Sequence, residues 1–342
     1  MGMNALYFNN HGDSSVLKYG ELPIPDVKEG YCLIRVDACA LNRLDLWVLQ
    51  GWPNLGLNFP HIGGSDIAGT VVSGNTKWSE GEKVVIDPGI NTKQDKFTDR
   101  GEDSLSPGYR VIGEHIPGGF GEYVTVPIEN LRKAPLGFTS EESASSLLVG
   151  LTAYRMLVHR ANLKAGERVL IIGSGGGVNS VAIQLAKYLG GTVHVVCGGV
   201  KKSRNAMKLG ARYTVDYTAE LDWERHLKIQ NEGDGYDVII DNVGAKTWSK
   251  SLKLASQGGR IITVGNTTGP IAETDIRYIF VKQLSILGST MGSHDDFDKV
   301  LELLSKKAIK PVIDSIIPLA EGKSAYERMN TGTHFGKIVI KP

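Results

Sequence analysis

The chain has 342 residues, 41% of them hydrophobic, and its 38 Lys and Arg against 37 Asp and Glu leave a net charge of +1. Charges so nearly balanced give no bulk field to draw nucleic acid or an anionic membrane, and the length suits two domains better than one. No apolar run approaches the roughly 18–20 residues that span a bilayer, and the first residues lack the basic and apolar parts of a secretory signal, so a cytoplasmic protein is expected.

In chain order, residues 1–135 read as mostly β, with strands predicted at Tyr31–Cys39, Ala68–Ser73, Lys83–Asp87 and Glu122–Val126 between Gly and Pro turns. Cys32 and Cys39 lie seven apart in one such strand, about 23 Å at ~3.3 Å per residue, too far for a disulfide. With Cys197 they are expected to be reduced thiols. Thr139 and Glu142 have capping-box spacing, and one helix is predicted to follow, with Ala144, Leu147, Leu148, Leu151, Tyr154 and Val158 along one face. From Glu167 strands and helices alternate: strands at Arg168–Gly173, Thr192–Cys197, Asp237–Asn242, Gly259–Gly265 and Leu284–Gly288, and helices at 178–189, 203–209 and 246–256. Such alternation builds a parallel sheet covered by helices on both faces. The tail reads as a helix at 295–306, a strand at Pro311–Pro318, a helix at 321–329 and a last strand at Gly336–Lys341. The expected fold is therefore α/β, a β-rich domain (1–148 and 288–342) split by a doubly wound parallel-sheet domain (149–287).

The most informative segment is 169–178, in which an apolar strand runs through Gly173, Ser174, Gly175, Gly176 and Gly177 into a helix beginning near Val178. Backbone N–H groups at a helix N-terminus reached through a turn without Cβ atoms make an anion site, so a bound dinucleotide is expected. NAD-binding units place an acid at the end of the second strand, where it accepts from the ribose hydroxyls. Here that strand ends Cys197-Gly198-Gly199, with no acid, and Lys201, Lys202 and Arg204 follow. The pattern suits a 2′-phosphate, and NADP(H) is expected; the competing reading is a solvated basic helical turn.

Several segments together resemble the medium-chain dehydrogenases/reductases, in the quinone oxidoreductase and zinc-type alcohol dehydrogenase branch. They are Ala40-Leu41-Asn42-Arg43-Leu44-Asp45-Leu46-Trp47, Gly64-Ser65-Asp66-Ile67-Ala68-Gly69, Gly121-Glu122-Tyr123, Gly150-Leu151-Thr152-Ala153, the 169–187 loop and helix, and Gln283-Leu284-Ser285-Ile286-Leu287-Gly288-Ser289. The resemblance implies a GroES-like catalytic domain, a Rossmann-type cofactor domain, an active site in the cleft between them, and a homodimer or homotetramer acting on a small-molecule substrate. For the cofactor it implies Thr152, the 173–178 loop, Gly198, Lys202, Tyr217, Asn242, Val264, Gly265, Leu287 and Gly288. Asn179 stands where the quinone reductase pattern has glycine; Asn tolerates unusual backbone angles, so the loop is expected to survive.

Zinc-dependent members carry Cys, His and a third Cys or acid at positions that here hold Asn42, Ser65 and Leu148, a poor zinc set. The four cysteines of their structural zinc lobe correspond to Thr92, Asp95, Thr98 and Ser106 in residues 87–113, a segment expected to be an exposed, mobile loop or an oligomer contact. No metal is expected, Asp45, His61, Asp66, Glu114 and His115 being the remaining donors near that segment of the pattern. Without a Lewis acid to hold an alkoxide, the expected reaction moves to substrates whose charge delocalises: quinones, enones, enals or enoyl thioesters. The candidate catalytic residues are Asn42, as amide donor or structural link, Arg43, as positive charge or surface residue, and Asp45, as proton-transfer or structural group. Alcohol-dehydrogenase-like carbonyl chemistry and a non-catalytic NADPH-binding protein are the alternatives.

Overall fold

The computed structural model describes residues 2–73 and 77–342. The chain divides into two compact units: Met1–Val149 with Gly292–Ser305 and Pro311–Pro342, and Gly150–Met291 with Lys306–Lys310. No helix among the described residues is long and apolar enough to cross a membrane.

In the first unit, strand Tyr31–Ala40 buries Cys32, Ile34, Val36 and Ala38, the period-two pattern of a strand with one face on a core. It pairs antiparallel with Asp66–Val71, Tyr123–Pro127 and Lys337–Lys341 inside a seven-stranded sheet. The register matters for function. Ala40 faces Asp66 on one strand and Val339 on the other, and Leu41 N–H bonds Ile338 O at 2.8 Å. Two residues past Ala40 is Asn42; two residues before Val339 is Lys337. Antiparallel pairing thus delivers Asn42, Asp66 and Lys337 to one place. All three cysteines are free and buried.

The expected long helix after Thr139 is interrupted. Thr139 and Glu142 do form the reciprocal cap (Glu142 N to Thr139 Oγ1 3.2 Å, Thr139 N to Glu142 Oε2 2.9 Å), but the helix Ser140–Ala144 then stops. Ser145 Oγ donates to Glu142 O, a local bond that competes with helix continuation. A new helix runs Leu147–Tyr154 and widens into a π-type segment Arg155–Arg160.

The second unit is a six-stranded parallel sheet in the order Tyr213–Asp216, Thr192–Cys197, Arg168–Ile172, Tyr236–Asp241, Ala255–Thr263, Ser285–Gly288. Val169, Leu170 and Ile171 in the central strand are fully buried, as expected for a strand covered on both faces, each contributing about 1.5–3 kcal/mol of apolar burial. Strand Tyr213–Asp216 and helices Trp223–Gln230 and Ile276–Lys282 escaped the sequence reading. The first is short, and neither helix carries an apolar stripe long enough to stand out.

Candidate active site

Asp66 is the centre of a buried cluster in the first unit. Its Oδ1 accepts the Leu148 N–H at 2.6 Å; its Oδ2 accepts Asn42 Nδ2 at 2.9 Å and Lys337 Nζ at 2.7 Å. Lys337 also donates to Asn42 Oδ1 at 2.5 Å. The Lys337 side chain is 3% exposed and that of Asp66 0%, so this is an ion pair away from solvent, tolerable only because each partner is further hydrogen-bonded. One carboxylate therefore collects Asn42 and Leu148 and is next to Ser65 in the chain, the three positions that the resemblance matched to zinc ligands.

Asp45 is the second buried carboxyl. It accepts Asn42 N at 2.7 Å and Gly64 N at 2.9 Å, fixing both the start of helix Arg43–Gln50 and the turn before Asp66. Burial pushes its pKa up to about 7 against those two donors. Glu114 is likewise pushed up to about 7, first by burial and then by the Asp45 charge, with Arg110 opposing. His61, expected in a loop, forms the short strand His61–Ile62, is buried, and meets Gly113 O through Nε2 at 3.2 Å. The Arg43 side chain makes no hydrogen bond or ion pair with any described residue, and burial lowers the pKa of its guanidinium. Among the described residues no three His, Cys, Asp or Glu side chains converge as a metal set.

Residues 87–113, expected to be an exposed, mobile loop or an oligomer contact, carry a local hydrogen-bond network. Asp95 Oδ2 accepts Ser106 Oγ at 2.7 Å, its Oδ1 accepts the Phe97 N–H at 2.9 Å and the Thr98 N–H at 3.3 Å, and Asp95 N–H donates to Thr98 Oγ1 at 2.8 Å. Thr92 Oγ1 closes the lobe onto Gly108 O.

In the second unit, the chain leaves the central strand at Ile172 into Gly173, whose φ of +85° favours glycine, and enters helix Gly177–Tyr188 through Gly176. Nothing lies within 4 Å of a Cβ added at Gly176, so the helix N-terminus is open to a phosphate. Asn179 keeps ordinary helical geometry; the loop survives through its side chain. Its Nδ2 donates to Ile172 O and Gly173 O, and its Oδ1 accepts Asn242 Nδ2, while Asn242 Oδ1 accepts the Val264 N–H. Three crossover loops are tied together in this way.

Residues 28–136 match the family described as "Alcohol dehydrogenase GroES-like domain" and residues 177–306 that described as "Zinc-binding dehydrogenase". The NAD-dependent alcohol dehydrogenase of Sulfolobus acidocaldarius is 32% identical, with 99% of each chain covered. The chain belongs to the medium-chain dehydrogenase/reductase superfamily. The acryloyl-coenzyme A reductase of Sulfurisphaera tokodaii is 30% identical over 97% of this chain and 98% of that one. A solved NAD-dependent alcohol dehydrogenase superposes with a TM-score of 0.95 at 34% identity, covering 99% of this chain and 100% of its own. The protein is thus an oxidoreductase of this superfamily, with a GroES-like domain and a nicotinamide-dinucleotide-binding Rossmann-like domain.

The superfamily's parallel sheet explains where the expected cofactor residues fall. Gly173 follows Ile172, Gly198 follows Cys197, Tyr217 follows Asp216, Asn242 follows Asp241, Val264 and Gly265 follow Thr263, and Leu287 and Gly288 end the edge strand. All lie at the carboxyl ends of parallel strands, where open α/β sheets bind ligands. Ser174 and Thr152 are buried. Sequence reasoning gave Lys337 no role, although it completes the Asp66 cluster; 271 positions separate the pair, and no local pattern announces it. It also passed over Asp216, whose Oδ1 holds the Gly199 N–H at 2.9 Å.

Proposed function

We propose that this oxidoreductase reduces activated carbon–carbon double bonds or quinones with NADPH and without zinc. The Asp66 cluster carries the proposal. Where a Lewis acid would need soft or imidazole donors, the chain presents an amide, a hydroxyl and a leucine, and Asp66, the nearest hard donor, is already engaged by a lysine ammonium. When bound, the nicotinamide supplies the hydride. The residues at the carboxyl ends of the strands hold the cofactor, with the Gly176–Gly177 amides at a phosphate and the Asn179–Asn242–Val264 chain keeping the loop rigid. Charge arriving on a conjugated oxygen spreads into an enolate or quinol, which hydrogen-bond donors can stabilise unaided by metal.

The preference for NADPH rests on Gly198 and Tyr217 together. A Cβ added at Gly198, near where NAD-binding units keep an acid, would lie 2.6 Å from the Tyr217 hydroxyl, so a side chain there would have to displace the tyrosine. The phenol and the neighbouring basic turn suit a phosphate instead. NAD is the second reading, favoured by Asp216 beside Gly199. Isothermal titration with both cofactors decides; tighter binding of NAD than of NADP sinks the first reading. For the reaction, NADPH oxidation is followed with enones, enals, enoyl thioesters and quinones, with and without EDTA. Turnover unaffected by chelation is expected, whereas turnover of simple alcohols and ketones alone points to alcohol-dehydrogenase chemistry.

We also propose a homodimer or homotetramer. Strand Ser285–Gly288 pairs on one side only among the described residues, and Phe280 and Val281 on the preceding helix are 66% and 61% exposed. Light scattering that returns a 37 kDa particle rejects this assembly.

A further inference from the structure

We infer that the hydrogen-bond donor to the substrate's carbonyl oxygen is the Ser65 hydroxyl and not the Asn42 amide; this rests on the reductase reading above.

Asn42 has nothing left to give. An ammonium only donates, so the contact with Lys337 fixes which amide atom faces it: Oδ1 accepts from Nζ. The amide's two N–H bonds then point the other way, one to Asp66 Oδ2 at 2.9 Å and one towards Ala40 O at 3.4 Å. Asp45 has both its oxygens engaged by backbone N–H groups.

Ser65 is the opposite case. It is 0% exposed, and its Oγ has no hydrogen-bond partner in the protein. Its two neighbours in the chain are both gripped, Gly64 through its N–H on Asp45 and Asp66 through its carboxylate on Leu148, Asn42 and Lys337. The hydroxyl is therefore held on a well-tied piece of backbone next to Asp66, with its hydrogen uncommitted. An orphaned buried hydroxyl costs stability until an acceptor arrives, and of those among the described residues Ser65 is the one next to Asp66 in the chain. A carbonyl oxygen that gains negative charge as the β-carbon takes hydride provides the missing acceptor. No covalent bond to Ser65 forms; its proton stays on Oγ and is shared with the developing enolate.

The test compares wild type with Ser65→Ala and Ser65→Thr on an enone and a quinone, with melting temperature and NADPH affinity measured alongside. Ser65→Ala is expected to lower kcat on the enone about 10- to 100-fold. The loss should be smaller on the quinone, whose oxygen is less basic in the transition state. The melting temperature and NADPH affinity should stay level or rise, and Ser65→Thr should recover part of the rate. If wild type reduces the enone and Ser65→Ala keeps at least half of its kcat, the Ser65 assignment is overturned and the reductase reading stands. Equal losses on enone and quinone accompanied by a fall in melting temperature also overturn it, as the mark of a packing residue. A wild type that turns over none of the activated substrates removes both.

Discussion

The Asp66 cluster and the Asp95 lobe are two answers to one problem. At both places the resemblance leads to an expectation of lost zinc ligands, and at both a single aspartate ties several of the positions concerned. Asp66 draws in Asn42 and the Leu148 N–H; Asp95 draws in Ser106 Oγ and the Thr98 N–H. The difference is solvent. Asp66 is fully buried and paired with the Lys337 ammonium, whereas Asp95 is half-buried and held mainly by hydrogen bonds from neutral groups. At Asp66 a counter-charge offsets burial, while at half-buried Asp95 hydrogen bonds suffice. The first arrangement is accordingly stiff and costly to disturb, and the second local and cheap.

The contrast breaks most sharply at Lys337. Lys337→Met leaves Asp66 buried and uncompensated, and a loss of about 3–5 kcal/mol is expected in chemical denaturation. Adding Asp66→Asn to that variant should recover part of it. A single variant as stable as wild type refutes the cluster as described.

A smaller effect is expected where the lobe meets the helix His294–Ser305. His294 Nδ1 bonds Asp87 Oδ2 at 2.6 Å and its N–H bonds Asp103 Oδ2 at 3.2 Å, with Asp103 also holding Asn91. The Asp87 hydrogen bond raises the His294 pKa above the usual 6.5; burial opposes it, the Asp87 and Asp103 charges add to it, and Arg132 subtracts. A raised histidine stabilises fully below its unfolded pKa and loses that contribution as pH rises through the folded one. The gap between wild type and His294→Gln should be largest, about 1–2 kcal/mol, below about pH 6.5 and shrink as pH rises through the folded pKa. A gap that widens with pH contradicts the pairing.

The smallest global effect belongs to Asp95. Asp95→Ala should raise amide exchange across residues 95–108 while the unfolding midpoint barely moves. The hydrogen bond from Ser106, the foremost of several, holds the Asp95 carboxyl below its usual pKa. In wild type the lobe's protection should therefore persist above about pH 4 and be lost as pH falls through the folded pKa. Cooperative loss of the whole fold in the variant would make the lobe as central as the cluster.

Sequence reasoning reached what is written locally. The glycine turn, the capping box at Thr139 and the alternation after Glu167 are short-range patterns with a physical cause, and they appear in the structure. It missed what other parts of the chain decide. The break at Ser145 depends on a side chain choosing Glu142 O over solvent. Asn179 preserves its loop by stitching three loops, which a backbone-propensity argument could not foresee. The pairing of Lys337 with Asn42 and Asp66 follows from strand register, and register needs the assembled sheet.

That pairing also bears on the order in which the protein is made. Asn42 and Asp66 emerge from the ribosome long before Lys337, which lies 295 residues beyond Asn42. Until strand Lys337–Lys341 enters between Tyr31–Ala40 and Ile313–Pro318, Asp66 has no cation and the sheet has a gap beside its busiest strand. A nascent or truncated chain lacking that strand carries the signature of incompleteness, a naked carboxylate at its centre, so the first unit cannot settle before that strand has emerged.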